Sequence, residues 1–413
     1  MNSFPRVLSL HTDLVLAFCL RALGLVTINH AYLGDYDQPN WFIVRVITTI
    51  LGIMLVFTPQ AISSRFHLDH FKLSAIISAI LCLTKIYTLF FLRDVLTQSL
   101  LLAMYFLIIA ISAGRAKERL SLLLSLSMLS ASTYLLAIIH KLNFDFLYTA
   151  QSCAIHGYQL VLSLFPASLI TDLSKVGLIN FLESYPSIAS LTVIGLEWSI
   201  ALLCWRRHKF IWCLGGLFHL PLTLTIAPSF GSVMAIGWGA GTMIGSRTAR
   251  QSKLMKLKLI SKHQVCLCLY FTHGLLSPYS GIEVQHSAAM LSNLRVDPKC
   301  NNSIIFQTAS HDPYLYIDEV SFGQNPRPQR VQRLKKGLWS PSALNTMRKN
   351  WCIKEQRPLK MQGRYLSQPF LLEDLCEQDA LDVIYQRSNL PIKGTWQRFQ
   401  KNLQKSCRQA CIH

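Results

Sequence analysis

From about residue 14 to residue 276 the chain is a succession of long apolar runs separated by short polar loops, and this alternation restricts the fold more than any other feature. Inside a bilayer every backbone N–H and C=O must be paired within the protein, so apolar segments of about 17 to 25 residues cross as helices. Runs of this kind cover about 14–28, 42–57, 73–92, 95–113, 120–139, 188–205, 210–226 and 230–244, with a shorter one over 265–276. They predict an α-helical polytopic membrane bundle of about eight or nine spans over residues 1–276. Composition agrees: 51% of the residues are hydrophobic, 15% are charged and the mean hydropathy is +0.32, too apolar for an ordinary soluble protein. The third run carries Lys85 and the sixth Glu197, and the first carries Arg21, so that it should face a protein interior or sit near an interface.

The loops set the orientation. The stretches 65–72, 114–119, 206–209 and 247–262 are rich in Lys and Arg, and each is separated from the next by two spans. All four therefore fall on one side, which is the cytoplasmic one. The N-terminus is then cytoplasmic, and Lys141 and the segment 143–186 lie on the opposite side. That segment is broken by small and polar residues around Gln151-Ser152-Cys153-Ala154-Ile155-His156-Gly157, and it is expected to be re-entrant or interfacial. If the run 265–276 crosses, residues 277–413 are extracytoplasmic. The formal net charge of +19 suits cytoplasmic loops and anionic lipid, and nucleic acid is not an expected partner.

Residues 277–413 are mixed in character, basic and punctuated by proline. Strand-like pieces at Ser303-Ile304-Ile305-Phe306-Gln307, Tyr314-Leu315-Tyr316-Ile317 and Ala380-Leu381-Asp382-Val383-Ile384-Tyr385 predict a small β-rich module. The basic stretch 327–336 reads as a solvated or lipid-facing surface.

Of the 12 cysteines, Cys19, Cys82, Cys204, Cys213, Cys266 and Cys268 lie inside apolar runs, where a thiol behaves as a small hydrophobe. Cys153, Cys300, Cys352 and Cys376 can pair in an oxidising compartment, with the connectivity open. Cys407 and Cys411 have no second pair at zinc-ligand spacing, and His67 and His70 sit in a charged loop, so no metal site is expected. Phosphate loops, nucleophile elbows, HExxH and dinucleotide fingerprints are absent from the sequence.

One stretch carries chemistry. In Ile138-Ile139-His140-Lys141-Leu142-Asn143-Phe144-Asp145-Phe146 an apolar run ends in a lysine, with an aspartate four residues later. If the helix continues, Lys141 and Asp145 share a face. An ionisable pair at the mouth of an apolar bundle points to a functional site, whereas a lone lysine at a span end commonly snorkels to the interface. Both readings stand on the residues alone.

The stretch Ala137-Ile138-Ile139-His140-Lys141-Leu142-Asn143-Phe144-Asp145-Phe146 resembles the segment around the active-site lysine of vitamin K-dependent γ-carboxylase. Leu196-Glu197, Phe218-His219 and Pro278-Tyr279-Ser280, with Ser287 and Met290, follow in matching order. Together they resemble the horizontally transferred transmembrane domain (HTTM) family, the membrane half of that carboxylase, over about residues 21–296. The resemblance implies Lys141 as the base that deprotonates a reduced quinone, Asp145 as its partner, and His140, Asn143, Glu197, His219 and Tyr279 as substrate-binding residues. A lysine acts as a base only where a dry setting disfavours the ammonium, and the Asp145 carboxylate favours it, so the two effects oppose each other. The chain departs from the carboxylase at Arg93-Asp94-Val95-Leu96-Thr97-Gln98, which lacks a histidine, and it has no propeptide-binding domain of comparable size.

Three functions follow as expectations. The first is an enzyme acting on a lipid-soluble quinol, carboxylase-like or quinol-oxidising. The second is a non-catalytic membrane scaffold that binds a protein partner. The third is a transporter, which would call for internal repeats with paired broken helices, and no such repeat is evident.

Overall fold

The computed structural model describes residues 119–225, 230–251, 261–279, 292–295, 300–306, 314–322, 359–377 and 379–387, together with single residues and short stretches elsewhere. The first four expected spans, apart from the helical residues Ile50, Ile80 and Tyr105, lie outside the described residues, as do His67, His70, Arg93, Asp94, Ser280, Ser287 and Met290.

The described chain is rich in helix and carries a small antiparallel sheet in its C-terminal region. The helices are α1 (Arg119–Lys141), α2 (Phe144–Tyr148), α3 (Cys153–Ser163), α4 (Asp172–Ser184), α5 (Pro186–Arg206), α6 (Ile211–Thr225), α7 (Phe230–Gln251), α8 (Ser261–Leu276) and α9 (Asp382–Arg387). The strands are β1 (Leu315–Phe322), β2 (Leu338–Trp339), β3 (Leu359–Tyr365) and β4 (Gln368–Leu372). Each apolar run expected beyond residue 119 is helical. Among the described residues, two helices are long and apolar enough to cross a membrane, Ser121–Lys141 and Pro186–Arg206. The segment 143–186 contains three short helices, α2 to α4, joined by turns.

The described residues fall into two compact units. The first draws on Met1–Ile138, Gly157–Lys175 and Thr192–His273, and the second on Ile139–His156, Val176–Leu191 and Gly274–His413. The second unit thus takes in two segments that precede residue 277.

Within the first unit, small residues let helices approach closely. A Cβ added at Gly237 would fall 1.8 Å from Ser130 Oγ, one at Gly241 2.5 Å from Ser127 Oγ, and one at Gly245 2.2 Å from Arg207 O. These three glycines repeat every fourth residue along α7 and form one stripe, which seats α7 against α1 and the C-terminal end of α5. Buried polar groups tie the same helices: Ser127 Oγ donates to Cys204 O at 3.1 Å, Ser121 Oγ lies 2.8 Å from His263 Nδ1, and Thr133 Oγ1 lies 2.8 Å from Tyr270 Oη. Such buried hydrogen bonds and close packing at small residues tie these helices together.

Within the second unit the sheet order is β2-β1-β3-β4, all antiparallel. β3 alternates strictly, with Leu359, Met361 and Tyr365 buried and Lys360 and Arg364 exposed, the period of a strand with one covered face. Leu366 and Ser367, both at positive φ (52° and 64°), make the two-residue turn between Tyr365 and Gln368. Left-handed backbone at both central residues matches the twist of the strands they join. The core under the sheet is Leu315, Ile317, Leu359, Met361, Phe370 and Leu372, closed by Leu381 and Ile384. Cys352–Cys376 staples the same region.

Two of the three expected strand pieces differ from expectation. Residues 380–385 run into a helix, α9, because Leu381 and Ile384, three apart, are the pair that reaches the core while Val383 between them is exposed. Ser303 forms only an isolated bridge with Asn143, and residues 304–306 are not in a strand. Tyr314-Leu315-Tyr316-Ile317 does open a strand, β1.

Candidate functional site

α1 does not continue through Asp145. Lys141 is its last residue, Asn143 is extended at φ −141° and ψ 158°, and a new short helix, α2, begins at Phe144. The expected shared helical face of Lys141 and Asp145 is therefore absent. Asn143 causes the break: its Oδ1 accepts from Phe146 N at 2.9 Å and caps α2. An asparagine at this position satisfies a helix-end donor that would otherwise be buried without a partner. The extended residues then pair like a strand, Phe144 N donating to Asn302 O at 2.9 Å and Ile304 N to Leu142 O at 3.1 Å.

The polar groups released by this break are gathered into one buried network in the second unit. Asn143 Nδ2 donates to His140 O at 2.8 Å and also to Ser292 O. Asn302 is a second hub. Its Nδ2 donates to Asp145 Oδ2 at 2.7 Å and to Asn293 O at 2.8 Å, and its Oδ1 accepts from Arg295 N at 2.8 Å. Asn293, held at φ 55°, accepts from Cys153 N at 2.7 Å and donates to Gln151 O at 3.0 Å. Phe146 O accepts from the hydroxyls of Ser152 and Ser190. Each amide thus uses both its carbonyl and its NH2, which makes a buried polar cluster tolerable.

The ionisable residues sit inside this frame. Lys141 is 5% exposed, Asp145 6% and Arg295 1%. The Lys141 ammonium lies 5.9 Å from the centroid of the Phe146 ring. His140, fully buried, places Nε2 2.8 Å from Gly274 O and Nδ1 3.4 Å from Tyr279 Oη. A carbonyl only accepts, so Nε2 carries a proton, and in the neutral ring Nδ1 offers its lone pair to the Tyr279 hydroxyl. Tyr279 also packs against Phe306, with ring centroids 4.1 Å apart and the rings tilted by 45°. Burial pushes the Tyr279 hydroxyl above its ordinary pKa, against a smaller opposing effect of its hydrogen bond with Ser303.

The seven residues predicted as a site divide between the units. His140, Lys141, Asn143, Asp145 and Tyr279 belong to the second, and Glu197 and His219 to the first. His219, on α6, has Nε2 2.6 Å from Tyr134 Oη on α1, and its ring lies 5.6 Å from that of Trp238 on α7. Glu197 is buried on α5. The hubs Asn302 and Asn293, with Ser292, Arg295, Ser152 and Ser190, are absent from the predicted set. Nothing in their spacing separates them from ordinary loop asparagines and serines, because long-range pairing alone brings them to Asp145 and Phe146.

Chemically, the arrangement offers a buried amine beside an aromatic face, a carboxylate held by an amide donor, and a protonated imidazole nitrogen one residue away. No family model, no curated protein and no solved structure matches this chain.

Proposed function

We propose that this chain is a multi-pass integral membrane protein of about eight or nine spans, related to the membrane half of vitamin K-dependent γ-carboxylase, and that it is a quinol-dependent enzyme with Lys141 as base. The observation that carries the reading is the burial of Lys141 at the end of a membrane-type helix. A lysine that only anchors a span end keeps its amine in water, whereas this one is buried, as is Asp145. Intramembrane and near-membrane ionisable groups are costly to bury, and sites that retain them are commonly functional.

The residues present suit a quinol. Lys141 Nζ can accept a hydroxyl proton, with the quinol O–H bond breaking and an ammonium forming. Asp145, oriented by Asn302, stabilises the ammonium once it has formed. When bound, a reduced quinone supplies the reducing equivalents, and oxygen is the acceptor to test first.

The cysteines support a sidedness. Cys153–Cys411, Cys300–Cys407 and Cys352–Cys376 all join residues of the second unit, while the free cysteines among the described residues, Cys204, Cys213, Cys266 and Cys268, all lie in the first. Disulfides persist on the oxidising side of a membrane. This supports an extracytoplasmic C-terminal region and a cytoplasmic N-terminus, in agreement with the basic loops.

The test is purification in native lipid followed by identification of bound quinones by mass spectrometry. A quinone retained in near-stoichiometric amount, together with quinol-dependent oxygen uptake, is the expected result. Absence of both would favour a non-catalytic scaffold that binds a protein partner.

A further inference from the structure

We infer that α4, Asp172–Ser184, lies along the membrane interface on the side where α5 begins, with Leu173, Val176, Leu178, Phe181 and Tyr185 immersed at the boundary between headgroups and acyl chains. The inference rests on the membrane reading proposed above. It assigns a lipid surface to one helix whose exposed face no protein contact among the described residues explains.

Length comes first. With 13 residues α4 is about 20 Å long at about 1.5 Å per residue, well short of the roughly 30 Å of a hydrocarbon core. α5, with 21 residues, reaches about 31 Å and follows α4 after a single residue, Tyr185. One end of α4 is therefore tied to one end of a span. α5 carries aromatic residues where membrane interfaces place them, Tyr185 just before its first turn and Trp205 in its last, and both are exposed. Its middle also exposes large apolar groups, Leu191 at 61% and Trp198 at 55%.

Exposure on α4 is one-sided. Leu182 is buried and Lys175 and Ile179 are partly covered, which marks one helical stripe at the spacing of four and three residues. The rest of the surface shows Leu173 at 84% exposure, with Val176, Leu178 and Phe181 also exposed among Ser174, Asn180 and Ser184, and the exposed Tyr185 follows, its ring 5.2 Å from that of Phe181. Leu164, Phe165 and Leu169 in the preceding connection are exposed as well. Charge is scarce: Lys175 is held by Asp172 at 3.2 Å and by Phe165 O at 2.8 Å, and the one other charged residue of the helix is Glu183 in its last turn. In water this set of apolar side chains would be an aggregation site. Against a bilayer, a helix too short to cross, whose open side mixes large apolar groups with small polar ones, suits the boundary between headgroups and acyl chains.

The experiment uses the full-length wild-type chain in phosphatidylcholine vesicles containing one of two photoactivatable lipids. One carries its diazirine near the glycerol and the other at the acyl terminus, and adducts are mapped by peptide mass spectrometry. The expected result is severalfold more adduct on 173–185 from the glycerol-level probe than from the terminal probe, with 191–202 of α5 labelled by both. Equal or greater labelling of 173–185 by the terminal probe would overturn the inference, because α4 would then enter the hydrocarbon core. No labelling of 173–185 alongside normal labelling of α5 would overturn it as well, showing the face to be covered by protein or water. Failure of both regions to label would instead refute the membrane reading on which it rests.

Discussion

Replacing Asn143 tests the frame that encloses Lys141. The side chain is fully buried and makes three bonds: it caps α2 through Phe146 N and donates to the carbonyls of His140 and Ser292. Loss of an N-cap costs about 1 kcal/mol, and each buried carbonyl left without a donor costs about 1 to 3 kcal/mol. Asn143→Ala should therefore destabilise the local structure by about 3 to 7 kcal/mol. Hydrogen exchange at the Phe146 and Leu147 amides reads this directly, since Leu147 N donates to Asn143 O in the same turn. A loss of about 3 kcal/mol corresponds to a drop in protection of about a hundredfold. Asn143→Asp separates the contributions. It keeps the cap acceptor and adds a negative charge at a helix start, which alone would help, but it turns a carboxylate oxygen toward two carbonyl oxygens. It should exchange at least as fast as Asn143→Ala. Wild-type protection in Asn143→Asp would mean that the Nδ2 bonds do not hold the segment, and the account of the frame would be wrong.

Two further outcomes are expected. Non-reducing peptide mapping should recover Cys153–Cys411, Cys300–Cys407 and Cys352–Cys376 while Cys204, Cys213, Cys266 and Cys268 take alkylating reagent after denaturation, and any disulfide joining these two groups would contradict the sidedness proposed. Because burial raises the Tyr279 pKa, the neutral phenol contributes stability that is complete below the ordinary value of about 10 and is lost as pH rises through the folded-state value. Thermal unfolding midpoints should thus fall on the alkaline side, and Tyr279→Phe should reduce that fall; an unchanged alkaline limb in the variant would remove Tyr279 as its source.

How far the sequence specifies the molecule differs from element to element. Apolar runs mark α1, α5, α6, α7 and α8 because a continuous hydrophobic stretch is a local property. The glycine repeat in α7 is visible as composition, but its partners Ser127, Ser130 and Arg207 are not, since they depend on which helices meet. Asparagine ahead of Phe144-Asp145 is a helix-start pattern, but the four-residue spacing from Lys141 to Asp145 reads equally as one continuous helix. The alternation Leu359, Met361, Tyr365 is a legible strand, yet a basic, polar neighbourhood hides it. Leu381 and Ile384 show the reverse error, where β-branched and aromatic residues suggest a strand and core packing selects a helix. Asn293 and Asn302 lie beyond sequence reasoning altogether, because their partners Cys153 and Asp145 are more than a hundred residues away. Likewise Cys407 and Cys411, which form no zinc pair, close on Cys300 and Cys153.

The central claim is that Lys141 is a base and not an anchor, and quinol-dependent oxygen uptake by Lys141 variants tests it most directly. The comparison is wild type, Lys141→Met and Lys141→Arg, each purified in native lipid and checked for an unchanged elution profile and melting temperature. Methionine keeps the length of the side chain without an amine, and arginine keeps the charge but holds its proton at any accessible pH. The account predicts that uptake disappears in both variants while folding persists. An anchoring lysine would be replaced well by arginine, so wild-type oxygen uptake by Lys141→Arg would contradict the account.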